Sequence, residues 1–127
     1  MRRRSKVQPS ASTLDELSGE VSWLLSHAEA LADYGRQQEA HAELARAAHC
    51  EEQVACLLDT AGRLQEAGVH RVSAASCQEQ IGQYARAVTL LRAALSAPLL
   101  EDYRHEVEQL LARCLTRARK ELVRPAV

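Results

Sequence analysis

The sequence predicts an all-α protein built from stacked antiparallel helical hairpins. Its 127 residues contain no Phe, one Trp and three Tyr, so the core has to be built from Leu, Val and Ala. Small side chains of this kind favour closely approaching helices over a β-sandwich. Apolar residues recur at spacings of three and four along most of the chain, and no useful stretch alternates with period two. A chain of this length most economically forms one domain.

Residues 1–12 are predicted to form a disordered basic tail, ahead of a single helical domain at 13–124. Four of the sixteen basic residues lie in this tail, at Arg2, Arg3, Arg4 and Lys6. Thr13 and Glu16 then have the spacing of a capping box, with Thr13 as the N-cap of the first helix. A solvated terminus is the simpler interpretation of the tail, and contact with nucleic acid or anionic lipid is the alternative.

Six helices are predicted, and a glycine or a proline marks most of their ends. A left-handed glycine cap is expected at Gly35, and Gly68 and Gly82 are expected to end two later helices. Pro98 suits the first turn of the last helix, where its missing N–H has no intrahelical partner. The predicted helices run from 13 to 35, 36 to 49, 51 to 67, 69 to 81, 84 to 98 and 98 to 124. Links this short make neighbouring helices antiparallel.

The distribution of charge argues against a body that binds nucleic acid. Outside the tail, twelve basic residues stand against seventeen acidic ones, a net charge of −5, whereas a nucleic-acid-binding domain is basic over a face. No run approaches the roughly 18 apolar residues that a membrane span needs. A signal peptide requires an apolar segment after its basic start, and the sequence has none at that place. The sequence therefore predicts a cytoplasmic protein that binds neither nucleic acid nor a membrane.

No motif in the sequence points to a metal site or to catalysis. The cysteines form no CxxC pair and are expected to be buried or semi-buried thiols: Cys50, Cys56, Cys77 and Cys114. Asp102 and His105 make a D-x-x-H, but di-iron bundles need two such motifs and two further Glu. A Cys–His nucleophile pair stays open, because such partners meet only in space. We predict no enzyme activity and no cofactor, and assign Trp23 and Tyr34 to core or wedge positions.

The stretch CQEQIGQYARAVTLLRAAL, residues 77–95, says most about function. Ala87 and Ala94 lie seven residues apart on one helix face with Leu91 between them. A small–large–small pattern lets a neighbouring helix approach closely at two points. Counted from Gly82, Tyr stands at +2, Ala at +5, Leu at +9, Ala at +12 and Pro at +16. This spacing resembles the tetratricopeptide repeat, a 34-residue helical hairpin.

A weaker copy of the same pattern begins at Gly35. It has Ala at +5, Leu at +9 and Ala at +12, but Gln37 occupies the tyrosine position. In the stronger copy Arg71 occupies the family's tryptophan position. Gly68 and Gly82 are only 14 residues apart, so the segment 51–67 does not fit the repeat register. The resemblance extends over residues 21–98.

The resemblance implies an α-α superhelix whose concave groove binds a peptide or helix of another protein. The groove positions carried over from the family are Ser22, Leu25, Glu29, Ala32 and Asp33 in the first copy and Val69, Val72, Ser76, Glu79 and Gln80 in the second. Leu25, Val69 and Val72 suit core positions equally well. The acidic members favour a basic or amphipathic ligand. The function implied is that of a small adaptor or chaperone.

A self-associating helical bundle that acts as a structural subunit is the alternative. The last helix has apolar residues from Leu99 to Leu122, which is more than a capping helix needs. It would pair with its twin to form a homodimer. Leu111 and Leu115 are the candidate contact residues.

Overall fold

A computed structural model describes residue 8 and residues 10–123, and residues 11–123 form five α-helices without a strand. The helices are α1 (Ala11–Asp33), α2 (Gln37–Thr60), α3 (Leu64–Gln80), α4 (Tyr84–Leu95) and α5 (Glu101–Val123). The all-α class and the hairpin architecture are thereby confirmed. The four basic residues of the predicted tail lie outside the described residues. Within the described residues, no helix is long and apolar enough to cross a membrane.

Helices that follow one another along the chain pack on one another. The extensive contacts in the described part of the chain are those of α1 with α2, α2 with α3, α3 with α4, and α4 with α5. This order places α1 and α5 at the two ends of the series. Each inner helix therefore buries two sides, and each end helix buries one.

The three turns that join the first four helices share one construction. The middle residue of each turn is a glycine with φ of 78°, a conformation that is strained for other residues: Gly35, Gly62 and Gly82. The N–H of Arg36 donates to the carbonyl of Leu31 at 2.9 Å, and the other two turns close in the same way. This six-residue closure is the Schellman motif that satisfies the last carbonyls of a helix. The predicted turns at Gly35 and Gly82 are confirmed.

The predicted boundaries in the middle of the chain are wrong. Helix α2 continues through Cys50, so the predicted helices at 36–49 and 51–67 do not exist as separate elements. The turn lies at Gly62, and Gly68 is buried inside α3. A Cβ on Gly68 would lie 2.9 Å from Ala97 Cβ and 2.9 Å from a methyl of Leu99. Gly68 thus permits the α4–α5 loop to approach α3 closely. Residues 11–123 form five helices instead of the six expected.

Both end helices begin at other residues than those predicted. The hydroxyl oxygen of Ser10 accepts the N–H of Thr13 at 3.2 Å, so Ser10 is the N-cap and Thr13 lies inside α1. Pro98 lies in the loop before α5. There the guanidinium of Arg104 donates to the carbonyls of Leu95 and Ala97, at 2.7 Å each. Arg104 thereby satisfies carbonyls at the end of α4 and ties the loop to the first turn of α5.

The small–large–small pattern of α4 is buried as expected. Ala87, Leu91 and Ala94 are all fully inaccessible to solvent. The aromatic residues of α1 and its cap, in contrast, are not in the core: the exposed fraction is 58% for Trp23 and 85% for Tyr34. The assignment of these two rings to core or wedge positions is therefore wrong.

Candidate functional site

The first hairpin carries most of the negative charge of the described chain. Residues 11–60 contain ten acidic and two basic residues, a net charge of −8 with His neutral. Residues 61–123 contain seven acidic and nine basic residues, a net charge of +2. Helix α1 alone has five acidic residues and no Lys or Arg. Any groove that borders α1 is therefore in a negative electrostatic field.

A groove of about 500 Å³ lies between α1 and α2 and reaches the end of α3. We call it the Leu25 groove. Its side chains come from α1 (Leu25, Glu29 and Ala32), α2 (Gln37, His41 and Leu44) and α3 (Gln80). Apolar and amide side chains predominate, and the titratable residues along this lining are Glu29 and His41.

Four residues at predicted groove positions meet in the Leu25 groove: Leu25, Glu29, Ala32 and Gln80. Asp33, Val72, Ser76 and Glu79 lie elsewhere. Asp33 is exposed in the last turn of α1, and Ser76 is half-buried on α3. Val72 belongs to the main hydrophobic core, which favours the core alternative for that residue.

Glu79, the remaining predicted residue, is bound to α5. Arg113 donates to its two carboxylate oxygens at 2.7 and 3.0 Å, and the thiol of Cys114 lies 3.7 Å away. The hydrogen bonds from Arg113 lower the pKa of the Glu79 carboxyl. Glu79 therefore joins α3 to α5, in the same way that an ion pair of Glu52 with Arg86 joins α2 to α4.

A larger groove, of about 790 Å³, was not foreseen from the sequence. We call it the Leu17 groove. Helix α1 contributes Thr13, Glu16, Leu17 and Glu20, and α4 contributes Arg86. Helix α2 contributes His49, Glu52, Cys56, Leu57 and Thr60 among others. A signal for this groove was present in the sequence. On both α1 and α2 its lining residues recur at spacings of three and four, and they include acidic and apolar side chains.

A polar cluster joins α1 to α2 at the level of Trp23. The indole of Trp23 stacks on the imidazole of His27, with ring centroids 4.6 Å apart. His27 Nδ1 lies 3.7 Å from Glu43 Oε2, and both atoms are buried without a hydrogen-bond partner. Arg46 lies 3.8 Å from Glu43 and 3.7 Å from Glu20. The cluster therefore links α1 to α2 through charged contacts of 3.7–3.8 Å.

The cysteines differ in exposure. Cys50, Cys77 and Cys114 are buried, whereas Cys56 is exposed in the Leu17 groove, which corrects the expectation for that residue. Burial raises the pKa of Cys77 and of Cys114 to about 11, with Glu51 and Glu79 respectively as further causes. Such thiols stay protonated and weakly nucleophilic at neutral pH. Over the residues that the structure covers, no three His, Cys, Asp or Glu side chains are grouped as metal ligands.

The predicted pairing surface of the last helix is largely occupied. Leu111 and Leu115 are half-buried and pack against the main core. Among the large apolar residues in the described part of α5, the exposed ones are Leu122 and Val123, at 85% and 80%. Dimerisation through this helix remains a prediction, but Leu111 and Leu115 would be poor contacts for it.

Comparison with protein-family models, with curated proteins and with solved structures finds no match to this chain.

Proposed function

We propose that this protein is a small helical interaction module that binds a peptide or helix of a partner protein in the Leu25 groove. The observation that carries the proposal is the convergence of Leu25, Glu29 and Gln80 from α1 and α3 on one concave surface. Helix-in-groove recognition uses an apolar stripe with polar groups at its edge, and the lining has this composition. An adaptor or a chaperone is the role that such a module performs.

A binding role is preferred to a catalytic one because of the lining itself. Glu29 and His41 are the titratable side chains in it, and they are surrounded by alanine, leucine and amide groups. The carboxylate of Glu29 and the charge of the whole hairpin favour a basic or amphipathic ligand.

A tetratricopeptide-like stack is part of the proposal. Each helix packs on the next, and two ion pairs, Glu52 with Arg86 and Glu79 with Arg113, join residues that are 34 positions apart. The turn glycines depart from that period, because Gly35, Gly62 and Gly82 are separated by 27 and 20 residues. The irregularity resides in α2, which has 24 residues against 12 in α4.

Partner capture from an extract of the source cells tests the proposal. The groove variant is Glu29→Lys with Gln80→Lys, and the matched control is Glu108→Lys with Gln109→Lys on the exposed face of α5. Both change the charge by +3, and exposed substitutions cost about 0.5 kcal/mol or less. Wild type and control should capture the same protein, identified by mass spectrometry, and the groove variant should lose it. Equal capture by all three proteins would overturn the proposal.

A further inference from the structure

The Leu17 groove and the last turns of α5 have complementary chemistry. We propose that the end of α5 from one copy of this chain docks in the Leu17 groove of a second copy. The proposal goes beyond the Leu25 groove, with which the Leu17 groove shares no lining residue.

The Leu17 groove has the shape that a helix requires. Its walls are α1 between residues 13 and 20 and α2 between residues 49 and 60, with Arg86 of α4 at the far side. At 1.5 Å per residue these segments extend over about 10 and 16 Å. A helix of two to three turns therefore fits along it.

The lining combines apolar and acidic groups. Leu17 and Leu57 are half-buried, and Glu16 and Glu20 are exposed one turn apart on α1. Glu52 is held by Arg86, and Glu20 lies 3.7 Å from Arg46 of α2. Glu16 belongs to none of the ion pairs among the described residues, so it contributes most directly to the negative charge beside Leu17. A helix that carries apolar residues flanked by Lys or Arg is the ligand that matches this surface.

The end of α5 is such a segment. The guanidinium of Arg117 lies over the ring of Tyr84, the first residue of α4, at 5.9 Å from the centroid. The following six residues therefore extend beyond the start of α4 by about 9 Å. They include the exposed residues Arg119, Lys120, Glu121, Leu122 and Val123, and their net charge is +1. Leu122 and Val123 are among the most exposed large apolar residues of the described chain.

A second copy is the occupant because the two surfaces belong to opposite ends of the helix series. Helix α5 packs extensively on α4, and α1 packs extensively on α2. In a reciprocal dimer each copy places the end of its α5 in the Leu17 groove of the other, which gives two such contacts. In an open filament each added copy forms one such contact. The same side chains hold both arrangements together.

Sedimentation of the full chain over a wide concentration range tests the proposal. It compares wild type with variants whose charge is reversed either in the Leu17 groove or at the end of α5. Wild type should associate reversibly, and salt should weaken the association because it screens the ion pairs. Glu16→Lys with Glu20→Lys in the groove, or Arg119→Glu with Lys120→Glu at the helix end, should each weaken it by about tenfold or more. A mixture of the two variants should associate again, since each supplies the surface that the other lacks.

The matched control is Glu106→Lys with Glu108→Lys, two exposed positions on the first half of α5. It should associate like wild type. A monomeric wild type at every concentration, or an oligomer indifferent to both charge reversals, would overturn the proposal. Neither result bears on the Leu25 groove, because the variants leave its lining intact.

Alkylation of Cys56 locates the contact. This thiol is exposed in the Leu17 groove, whereas the other three cysteines are buried. Its alkylation should slow severalfold as the wild-type concentration rises, and should not slow in the Arg119→Glu, Lys120→Glu variant. Association without protection of Cys56 would show that the end of α5 binds elsewhere and would overturn the assignment.

Discussion

Two glycines six residues apart, Gly62 and Gly68, have different physical roles. Gly62 has φ of 78° in the α2–α3 turn, and Gly68 is a buried helical residue against which Ala97 and Leu99 pack. From sequence the two are equivalent candidates for a helix end. The difference is tertiary, since it depends on where the α4–α5 loop crosses α3.

Alanine substitution separates these roles at the scale of single residues. Gly68→Ala should cost about 1–3 kcal/mol because its methyl would collide with the α4–α5 loop. Gly62→Ala should also destabilise, through its positive φ. Gly19→Ala is the control: nothing lies within 4 Å of its Cβ position, so it should be neutral or stabilising by up to about 1 kcal/mol. Denaturant unfolding measures all three, and an innocuous Gly68→Ala would contradict the close approach.

The ion pair of Glu79 with Arg113 predicts a pH dependence. The pKa of Glu79 is lowered in the folded state, so the pair stabilises the fold above the ordinary glutamate pKa. That stabilisation is lost as the pH falls through the lowered value. Glu79→Gln should therefore reduce the free energy of unfolding by up to about 1 kcal/mol at neutral pH. The deficit should disappear in strong acid, and a deficit independent of pH would show that the effect is not ionic.

The thiols should react in two classes. Cys56 is exposed, while burial raises the pKa of Cys77 and of Cys114 to about 11. Because the thiolate is the nucleophile, native protein at neutral pH should alkylate quickly at one cysteine only. Mass spectrometry of the dilute protein identifies the site. Fast modification at Cys77 or Cys114 would mean that α3 or α5 opens readily.

At the scale of elements, α4 and α1 were the most predictable from sequence. The apolar periodicity of α1 and the Ala87–Leu91–Ala94 face of α4 are local patterns, and the structure buries Leu24 and all three α4 residues. The missed features are tertiary. The continuity of α2 through Cys50 depends on its packing against both α1 and α3, which hydrophobic spacing alone does not reveal.

Replacement of the buried alanines of α4 by larger residues should destabilise the fold. Ala87 and Ala94 are fully buried, and the carbonyl of Ala94 lies 3.4 Å from the Cβ position of Gly68. Ala87→Leu or Ala94→Leu should therefore cost about 1–3 kcal/mol through overpacking. Ala112→Leu, at an exposed position of α5, is the control and should leave thermal unfolding unchanged. Equal melting temperatures for all three variants would contradict the close crossing of α3 and α4.

At the scale of the whole molecule, charge and packing order divide the chain into unlike halves. The hairpin α1–α2 has a net charge of −8 and borders both grooves, while residues 61–123 have a net charge of +2. Among the positions carried over from the resemblance, Leu25, Glu29, Ala32 and Gln80 line the Leu25 groove. Val72 lies in the core, which was the open alternative for it, and Glu79 pairs with Arg113 of a helix far along the chain.

The affinity of the captured partner segment for wild type and for the groove variant is the most direct test of the proposed function. Titration calorimetry at low and high salt compares two double variants with wild type. The groove variant combines Glu29→Lys and Gln80→Lys, and the α5 control combines Glu108→Lys and Gln109→Lys. We predict that the groove variant binds at least about tenfold more weakly and that the control matches wild type at both salt concentrations. Equal affinity of the groove variant and wild type would contradict binding in the Leu25 groove.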